Sequence, residues 1–589
     1  MVVKRPQVAV AVLVPVLVMF GIGLWGIDRG GMWRDEAVTF QVARRSLPQI
    51  WQLLHSVDAV HGLYYLLMHP VLALHPGEVA LRVPSLCAAA ATAGLVAALG
   101  ARLARPRVGL WAGLLYAATP MAGHFAQEGR SYALVAAGVA ASTLLLARAV
   151  TADAGGDGDG TGGGDEDQED APVGRLARHA RVVGWCAYGG VVAVTVLLHE
   201  FAVLILLAHA ATLALARMPR RVWRDWACAA GAVLLVLLPL ALISSGQAEQ
   251  VAWLRPPGGG TVERLLRSFT GPTQLVLGPY LLLIALALRH PFTPPPRRGE
   301  LSLPTVALPL LLLPPAALIA VSRHWPLYDD RYVLYALAGA PLLAAAGAER
   351  LVLAARRVGL ARREAEGLMR GVGGDSGRGR GRGRGPGSGP GPGSGAGAGA
   401  GANCDSGPGF GPGSGPEPGL VRGVRVPYAA TLAGVLAITL AFVSQLPVLR
   451  QDRDPAHRPD NLAVVSAAAA QRMSPGDSVL FLPSLGRRSA LAYPKGFHGT
   501  RDIALEEPAP VSGTLYGRET GPDELRRRLA GLDRVWVVAE PYALKSAWYP
   551  SDPTERVKVT VVGEEFVPRA EFVRKGSILR LYVRRAPTM

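Results

Sequence analysis

Residues 8–40 read VAVAVLVPVLVMFGIGLWGIDRGGMWRDEAVTF, a long apolar run followed by the charged motif Trp33-Arg34-Asp35-Glu36. The apolar part, from Val8 to about Ile27, is long enough to cross the roughly 30 Å hydrocarbon core of a bilayer as an α-helix. A basic N-terminus precedes it, and no small-residue cleavage site follows it. We therefore predict a retained membrane anchor with its N-terminus in the cytoplasm and the charged motif facing outward.

The composition of the whole chain agrees with a membrane location. The chain has 589 residues, of which 50% are hydrophobic, and a net charge of +17. Its mean hydropathy is +0.26, which excludes an ordinary soluble enzyme and a disordered protein. The arginines form short clusters between apolar runs, so membrane topology explains the charge and we expect no nucleic-acid partner.

Ten more apolar segments are long enough to span a bilayer. With the first, they predict an α-helical polytopic membrane protein of about eleven transmembrane helices. The ten further predicted spans are residues 83–104, 108–125, 131–150, 182–198, 200–217, 226–245, 272–289, 303–321, 332–356 and 427–446.

The short apolar stretch from His61 to His75 decides the topology. If it crossed the membrane, the arginine clusters between later spans would lie outside, against the positive-inside rule. We predict instead an interfacial helix, with Tyr64 and Tyr65 at the level of the lipid headgroups. Residues 28–82 then form one large outer loop.

The remaining segments complete the predicted domain organisation. Residues 1–360 form the main transmembrane domain, and 151–181 are an acidic, Gly-rich linker on the inner side. Residues 361–425 are rich in Gly, Pro and Arg and are predicted to be a disordered cytoplasmic loop before the last span at 426–447.

Residues 448–589 are polar and of domain size. Strand patterns at 477–483, 534–538, 558–562 and 577–583, with helical patterns at 461–473 and 523–532, predict a small extracytoplasmic α/β domain. The triplet Asp452-Arg453-Asp454 resembles an acidic metal-binding motif, but its place in a linker favours solvent-exposed charges.

Three polar clusters lie at the predicted outer ends of the spans. Adjacent carboxylates at Asp35 and Glu36 suit a general base or a metal ligand, and equally suit a plain helix start. Arg130 fits a phosphate group, with Glu128 and Tyr132 beside it; the alternative is an interfacial arginine with an aromatic anchor. Arg331 follows two aspartates, with which it could simply form ion pairs.

The order of these motifs resembles the GT-C superfamily of membrane glycosyltransferases. More narrowly, the chain is similar to bacterial members of the protein O-mannosyltransferase and aminoarabinose-transferase group over about its first 360 residues. The residues that carry the resemblance are Trp33-Arg34-Asp35-Glu36, His61-Gly-Leu-Tyr-Tyr-Leu-Leu-Met-His69, Leu81-Arg-Val-Pro-Ser85, Gln127-Glu-Gly-Arg-Ser-Tyr132 and Asp330-Arg-Tyr332.

The resemblance implies a role for each site residue. Asp35 matches the catalytic base that acts on the acceptor hydroxyl, and Glu36 beside it has a supporting or acceptor-binding role. Glu128 and Arg130, in the motif that ends at Tyr132, match residues beside the donor phosphate. Arg331 matches an arginine that holds this phosphate.

Two features of the implied site stay open. His61-Gly62-Leu63 departs from the His-Pro-Pro that is frequent in the family, which puts a role for His61 in doubt. A divalent cation between Asp35 and Glu128 is compatible with the sequence but not demanded by it.

The expected activity is transfer of a hexose, with mannose as first choice, from a polyprenyl-phosphate carrier to a protein, lipid or glycan acceptor with inversion. The reaction is expected on the outer face of the plasma membrane. The alternatives are a transporter or flippase of lipid-linked sugars and a non-catalytic scaffold of the cell envelope. Transporters tend to place charges near the bilayer midplane, whereas here the charges cluster at the ends of the spans.

Overall fold

Helices dominate the computed structural model, which describes residues 5–155, 172–251, 253–289, 298–372, 425–457, 460–574 and 576–586. Their residues cluster into two compact units, 1–350 with 434–589, and 351–433. The first sixteen α-helices are α1 (Arg5–Leu24), α2 (Arg34–Ala43), α3 (Leu47–Ser56), α4 (Gly62–Leu74), α5 (Glu78–Leu103), α6 (Pro106–Ala118), α7 (Pro120–Phe125), α8 (Tyr132–Gly155), α9 (Pro172–Leu198), α10 (Ile205–Leu215), α11 (Arg220–Ser245), α12 (Thr261–Thr270), α13 (Gln274–Leu288), α14 (Leu303–Val321), α15 (Gly339–Val372) and α16 (Arg425–Asp452).

The predicted polytopic membrane architecture is confirmed. Within the described ranges, eight helices are long and apolar enough to cross a membrane, and α12 with α13, bent by 88°, makes a ninth if the pair is counted as one span. The chain is therefore a multi-pass membrane protein.

The count of about eleven spans is higher than these eight or nine, because two predicted spans are interrupted. The segment 108–125 breaks between α6 and α7, where Thr119 precedes Pro120 and has an extended backbone (ψ 125°). A residue before proline is driven out of the helical region by a clash with the ring. The segment 200–217 begins as a 3-10 helix, Glu200–Leu204, before α10 starts.

Helices α1, α5 and α6 pack closely against one another. A Cβ atom at Gly109 would lie 2.2 Å from the carbonyl oxygen of Ala97, and one at Gly113 would lie 2.8 Å from that of Ala93. Small residues at these positions let the backbones of α5 and α6 approach each other, which is how membrane helices gain van der Waals contact.

The loop between α1 and α5 is helical, and its apolar segment is α4. The predicted position of Tyr64 and Tyr65 at the lipid headgroups is wrong, since both side chains are fully buried. The hydroxyl of Tyr65 donates a hydrogen bond to the carboxylate of Asp58. The polar hydroxyl of Tyr65 thus finds its hydrogen-bond partner inside the protein instead of among the lipid headgroups.

The two low-complexity segments lie largely outside the described residues, at 156–171 and 373–424. The parts that are described are helical: α8 runs to Gly155, α9 begins at Pro172, and α15 continues to Val372. The prediction of disorder is therefore wrong for residues 361–372, which belong to α15. Ala, Arg, Glu and Leu are frequent between 361 and 369, and these residues favour a helix.

The C-terminal segment forms an α/β structure, as predicted. Its five-stranded sheet has the order β2-β1-β5-β7-β6, with β1 parallel to β2 and β5, and β7 antiparallel to both β5 and β6. Its elements are α17 (Leu462–Arg472), β1 (Ser478–Leu482), α18 (Arg488–Ala492), β2 (Arg501–Asp502), β3 (Leu505–Glu507), α19 (Ala509–Ser512), β4 (Arg518–Glu519), α20 (Pro522–Ala530), β5 (Arg534–Ala539), α21 (Pro553–Glu565), β6 (Phe566–Arg574) and β7 (Ser577–Arg584).

The strand predicted at 558–562 is wrong, because these residues lie inside α21. The side chain of Asp552 caps the helix by accepting a hydrogen bond from the backbone N–H of Glu555, and Pro553 occupies the first helical position. Val557 and Val561 then share one face and pack into the core against the sheet. The cap and this i, i+4 spacing outweigh the preference of valine for strands.

Arg453 also differs from its prediction as a solvent-exposed charge. Its side chain is almost fully buried and donates hydrogen bonds to the carbonyl oxygens of Trp25 (2.9 Å) and Ile22 (3.0 Å). These carbonyls belong to the end of α1, so Arg453 ties the last transmembrane helix to the first.

Lys558 on α21 provides a test of the C-terminal core. Its ammonium group is fully buried, 2.6 Å from Glu519 and 3.2 Å from Glu555. We predict that Lys558→Met lowers the free energy of unfolding by about 3–5 kcal/mol, because buried carboxylates lose a partner. Denaturant unfolding of the detergent-solubilised chain measures this. The exposed Lys545→Met is the control, and an equal effect of both substitutions would contradict the prediction.

Candidate active site

The first turn of α2 separates the roles of its two adjacent carboxylates. The helix begins at Arg34, and Asp35 and Glu36 lie where unpaired backbone N–H groups favour negative charge. Consecutive residues of a helix point about 100° apart. Glu36 is therefore fully buried, whereas the Asp35 side chain remains 24% exposed.

Glu36 forms a buried ion pair with Arg82 of α5. Nε and Nη2 of Arg82 each donate a hydrogen bond of 2.8 Å, one to each carboxylate oxygen. The backbone N–H of Gly129 donates a third, at 3.0 Å, to Oε1 of Glu36. Both oxygens of Glu36 are thus occupied inside the protein, which suits a supporting role.

Arg82, to which the sequence assigned no role, also holds the loop that follows α1. Its Nη1 donates to the carbonyl oxygen of Ile27 at 2.9 Å, and its Nη2 donates to that of Gly31 at 3.4 Å. One guanidinium therefore fixes the end of α1 and the start of α2. The signal in the sequence was an arginine directly before the predicted span 83–104, within the motif Leu81-Arg-Val-Pro-Ser85.

Asp35 contacts Arg331, so two of the three predicted polar clusters meet. Nη1 of Arg331 lies 3.0 Å from Oδ2 of Asp35. The guanidinium of Arg331 is surrounded by aromatic rings, whose centroids lie 5.5–5.9 Å from its Cζ; they belong to Trp33, Tyr132, Trp253 and Tyr332. Cation–π contacts of this kind hold an arginine in place without neutralising its charge.

Glu128 lies in the same region in an environment that disfavours its charge. Burial raises the pKa of Glu128 to about 7, although His124 and Arg331 lower it in part. Its Oε1 is buried and accepts no hydrogen bond from the described residues. Glu128 is therefore a carboxyl group that gains or loses its proton near neutral pH.

Arg130 is buried behind this region and contacts His61. Its Nη2 donates a hydrogen bond to Nε2 of His61, and its Nη1 donates to the hydroxyl oxygen of Thr39 at 3.4 Å. Burial and the charge of Arg130 lower the pKa of His61 well below its ordinary value, so the ring is neutral and accepts this bond. The structure thus places His61 beside a predicted site residue.

An open cavity of about 680 Å³ connects Arg331 and Glu128. Its apolar wall includes Pro120, Met121, Phe125, Pro272 and Val448. Its basic side chains are Arg264, Arg267 and Arg331, each paired with a carboxylate: Asp330, Glu263 and Asp35 respectively. Arg264 and Arg267 were not among the predicted site residues; the available signal was their i, i+3 spacing in the segment between two predicted spans.

A metal-ligand set is not preformed in the described part of the chain. A search of these residues finds no group of three or more His, Cys, Asp and Glu side chains that could hold a metal ion. Asp35 pairs with Arg331 and therefore lacks the arrangement of a ready ligand. A divalent cation between Asp35 and Glu128, which the sequence allows but does not demand, stays untested.

The C-terminal segment completes the site from the other side. The hydroxyl of Tyr493 accepts a hydrogen bond from the backbone N–H of Met32 at 2.7 Å and donates one to Glu78 at 2.7 Å. Nε of Arg34 lies 3.0 Å from Oδ2 of Asp460. The residues directly before Asp35 are therefore held by the α/β part of the chain.

Comparison of the chain with models of protein families finds no match, and comparison with curated proteins also finds none. Solved structures do match. The crystal structure of ArnT from Cupriavidus metallidurans in the apo state has a TM-score of 0.52 and 13% sequence identity, with 97% of each chain covered.

Two further matches have lower scores. ArnT bound to undecaprenyl phosphate has a TM-score of 0.49 at 13% identity, with 98% of each chain covered. The archaeal oligosaccharyltransferase AglB from Archaeoglobus fulgidus, in complex with an inhibitory peptide and a dolichol-phosphate, has a TM-score of 0.44 at 12% identity, covering 98% of this chain and 74% of that chain. The likeness to apo ArnT shows that this chain shares the fold of that structure, and the predicted fold class, a polytopic helical membrane protein with a small C-terminal α/β part, is confirmed.

The pair of Glu36 and Arg82 yields a stability prediction. Both side chains are fully buried, so Arg82→Met leaves an uncompensated carboxylate and is expected to cost about 3–5 kcal/mol of unfolding free energy. The double variant Glu36→Met/Arg82→Met removes both charges and should be more stable than Arg82→Met alone. Thermal unfolding of the purified chain measures both; a double variant that is less stable than Arg82→Met would refute this account.

The raised pKa of Glu128 yields a pH prediction. A carboxyl group whose pKa rises from 4.5 to about 7 on folding stabilises the fold fully below pH 4.5, and this contribution is lost as the pH rises through 7. Glu128→Gln should therefore unfold at the same temperature as the unaltered protein at pH 4.5 but at a higher temperature above pH 7. The exposed Glu263→Gln should show no such divergence, and parallel pH curves for Glu128→Gln would exclude the buried carboxyl as the cause.

Proposed function

We propose that this protein is a membrane glycosyltransferase that moves a hexose from a polyprenyl-phosphate carrier to an acceptor hydroxyl with inversion. Three observations support the proposal: the GT-C fold, the motif order along the chain, and the contents of the cavity. Mannose is the first candidate for the sugar, on the resemblance of the motifs. The acceptor is a protein, a lipid or a glycan.

The contact between Asp35 and Arg331 carries the proposal. Arg331 lines a cavity with apolar walls, a setting that suits a phosphate attached to a long isoprenoid chain. Asp35 is the partly exposed carboxylate next to it, available to an incoming hydroxyl group. A phosphate grip and a candidate base therefore lie within one hydrogen bond of each other.

The reaction that fits this arrangement is a single displacement at the anomeric carbon. Asp35 takes the proton of the acceptor hydroxyl as its oxygen forms the new bond, and the bond from the anomeric carbon to the phosphate oxygen breaks. Protonation neutralises Asp35 at the moment when the leaving phosphate gains charge. Arg331 can then release the neutral Asp35 and bind the leaving phosphate. Its positive charge therefore stabilises the negative charge that develops in the transition state.

The other cavity residues assist the leaving group. A lipid phosphate is already stable as an anion, so the reaction needs no strong general acid. Arg264 and Arg267 line the cavity, and a guanidinium has five N–H donors, so each can bind a phosphate oxygen and keep its carboxylate. Glu128, when protonated, can donate a hydrogen bond to the same phosphate.

Glu36 and Arg130 are assigned positioning roles in this proposal. Glu36 fixes α2, and hence Asp35, through Arg82. Arg130 was predicted to hold the phosphate, but its contacts are with His61 and Thr39. It is therefore proposed to position α2 and the helix α4 rather than to bind the donor.

The proposed orientation places the site on the outer face of the plasma membrane. Asp35, Glu128 and Arg331 converge at one end of the helices. Arginine clusters lie at the opposite ends, at the α5–α6 turn (Arg102, Arg105 and Arg107) and at the start of α11 (Arg220, Arg221 and Arg224). By the positive-inside rule those ends face the cytoplasm, together with the N-terminus.

The test is transfer of radiolabelled mannose from polyprenyl-phosphate-mannose in membranes that contain this protein. Asp35→Asn should lower the rate by about 10²–10⁴-fold, the usual contribution of a general base. The matched control is Glu524→Gln, which removes an exposed, arginine-paired carboxylate from α20. Equal transfer by the unaltered protein and by Asp35→Asn would refute the assignment of Asp35.

The choice of sugar is tested in the same membranes. If the unaltered protein transfers no mannose, the assay is repeated with other lipid-linked sugars, including glucose, arabinose and galacturonic acid carriers. Transfer of one of these only with intact Asp35 would replace mannose and keep the mechanism. Absence of transfer from every carrier would reject the transferase proposal.

A further inference from the structure

A second cavity, of about 760 Å³, lies between α9 and α11. Small residues form much of its wall along the helices: Gly189, Gly190, Ala193, Ala229 and Ala232. A Cβ atom built at Gly190 meets no described atom within 4 Å, so the groove is open at this position. Its length runs along the membrane-spanning parts of both helices.

One end of this groove is basic. Among the described residues, its lining includes the three arginines Arg178, Arg181 and Arg224 and one carboxylate, that of Asp225. Arg181 donates to Oδ2 of Asp225 at 2.7 Å through Nε, and Arg224 lies 3.3 Å from Oδ1. The Arg224 side chain is 72% exposed, so its guanidinium is accessible to a ligand.

Trp185 supplies an independent sign of a ligand. Its side chain lines the groove and is only 6% exposed. The indole N–H is buried and has no hydrogen-bond acceptor among the described residues. A buried donor without a partner is costly, and an ester or phosphate oxygen of a bound lipid would satisfy it once the indole ring turns toward the groove.

We propose that this groove binds one anionic glycerophospholipid, with its phosphate at Arg178, Arg181 and Arg224 and an acyl chain along the small residues. Basic pockets between transmembrane helices at the cytoplasmic side are a recurring form of lipid recognition. The site binds a membrane lipid rather than the sugar donor, because α9 begins at the basic end and ends beside the other site. His199, which follows α9, has its ring centroid 4.9 Å from that of Tyr332.

The chain carries its own probes for this site. Cys186 and Cys228 line the groove and are exposed, whereas Cys87 is exposed on α5 outside it. The experiment uses the full chain with Cys404→Ser, in vesicles of phosphatidylcholine alone or mixed with phosphatidylglycerol. The rate of alkylation of each cysteine by a membrane-permeant maleimide is measured by mass spectrometry.

Phosphatidylglycerol is expected to slow alkylation of Cys186 and Cys228 several-fold relative to phosphatidylcholine and to leave Cys87 unchanged. The double variant Arg178→Gln/Arg224→Gln should abolish this slowing while it keeps the pair of Arg181 and Asp225. Arg220→Gln, on the same turn of α11 but outside the groove lining, is the matched control. Gly190→Leu, which fills the open groove, should also abolish the slowing with all arginines in place.

Three results would overturn the proposal. Equal slowing by both lipids would show an apolar groove without headgroup selection. Slowing by glycerol phosphate alone, without added anionic lipid, would indicate a site for a free phosphate. Persistence of the slowing in Arg178→Gln/Arg224→Gln would remove the arginines from the site. None of these readouts depends on transferase activity, so the lipid site and the proposed function can fail separately.

Discussion

The buried ion pair of Glu36 and Arg82 is the interaction on which the rest of the site depends. In a low-dielectric interior an ionised carboxylate is tolerated only with a well-placed partner, and here two parallel hydrogen bonds supply it. Because Glu36 lies on α2 and Arg82 on α5, the pair fixes the orientation of α2 relative to α5. Because helix geometry turns the next residue by about 100°, Asp35 then points toward Arg331. The position of Asp35 thus follows from the fully buried neighbour Glu36.

The sequence predicted the membrane architecture, and it supplied the candidate site residues, because both depend on local features. Long apolar segments need only length and composition, and nine of the eleven predicted spans correspond to the eight long helices and the bent pair among the described residues. Asp35, Glu128 and Arg331 were identified by motifs that stand at the ends of spans. The structure brings all three to one end of the helices, although their roles remain proposals.

What the sequence did not predict depends on tertiary contacts. Glu36 and Asp35 look equivalent as adjacent acids, and only the packing of α2 against Arg82 distinguishes them. Arg264 and Arg267 become relevant because α12 bends toward α7, which no local pattern encodes. Lys558 lies in a valine-rich segment that looks like a strand until the cap at Asp552 and the core around it are known.

The hydrogen bond between Met32 and Tyr493 spans 461 residues of the chain, and the ion pair of Arg34 and Asp460 spans 426. During synthesis, the segment that contains Met32 and Arg34 leaves the ribosome long before Asp460 and Tyr493 have been translated. The loop that carries Asp35 therefore lacks these two contacts while the later helices are inserted into the bilayer. Its final geometry is reached only when the last part of the polypeptide folds against it. A chain that ends before Asp460 lacks both partners of the loop, so loss of the carboxyl-terminal segment would leave the geometry around Asp35 incomplete.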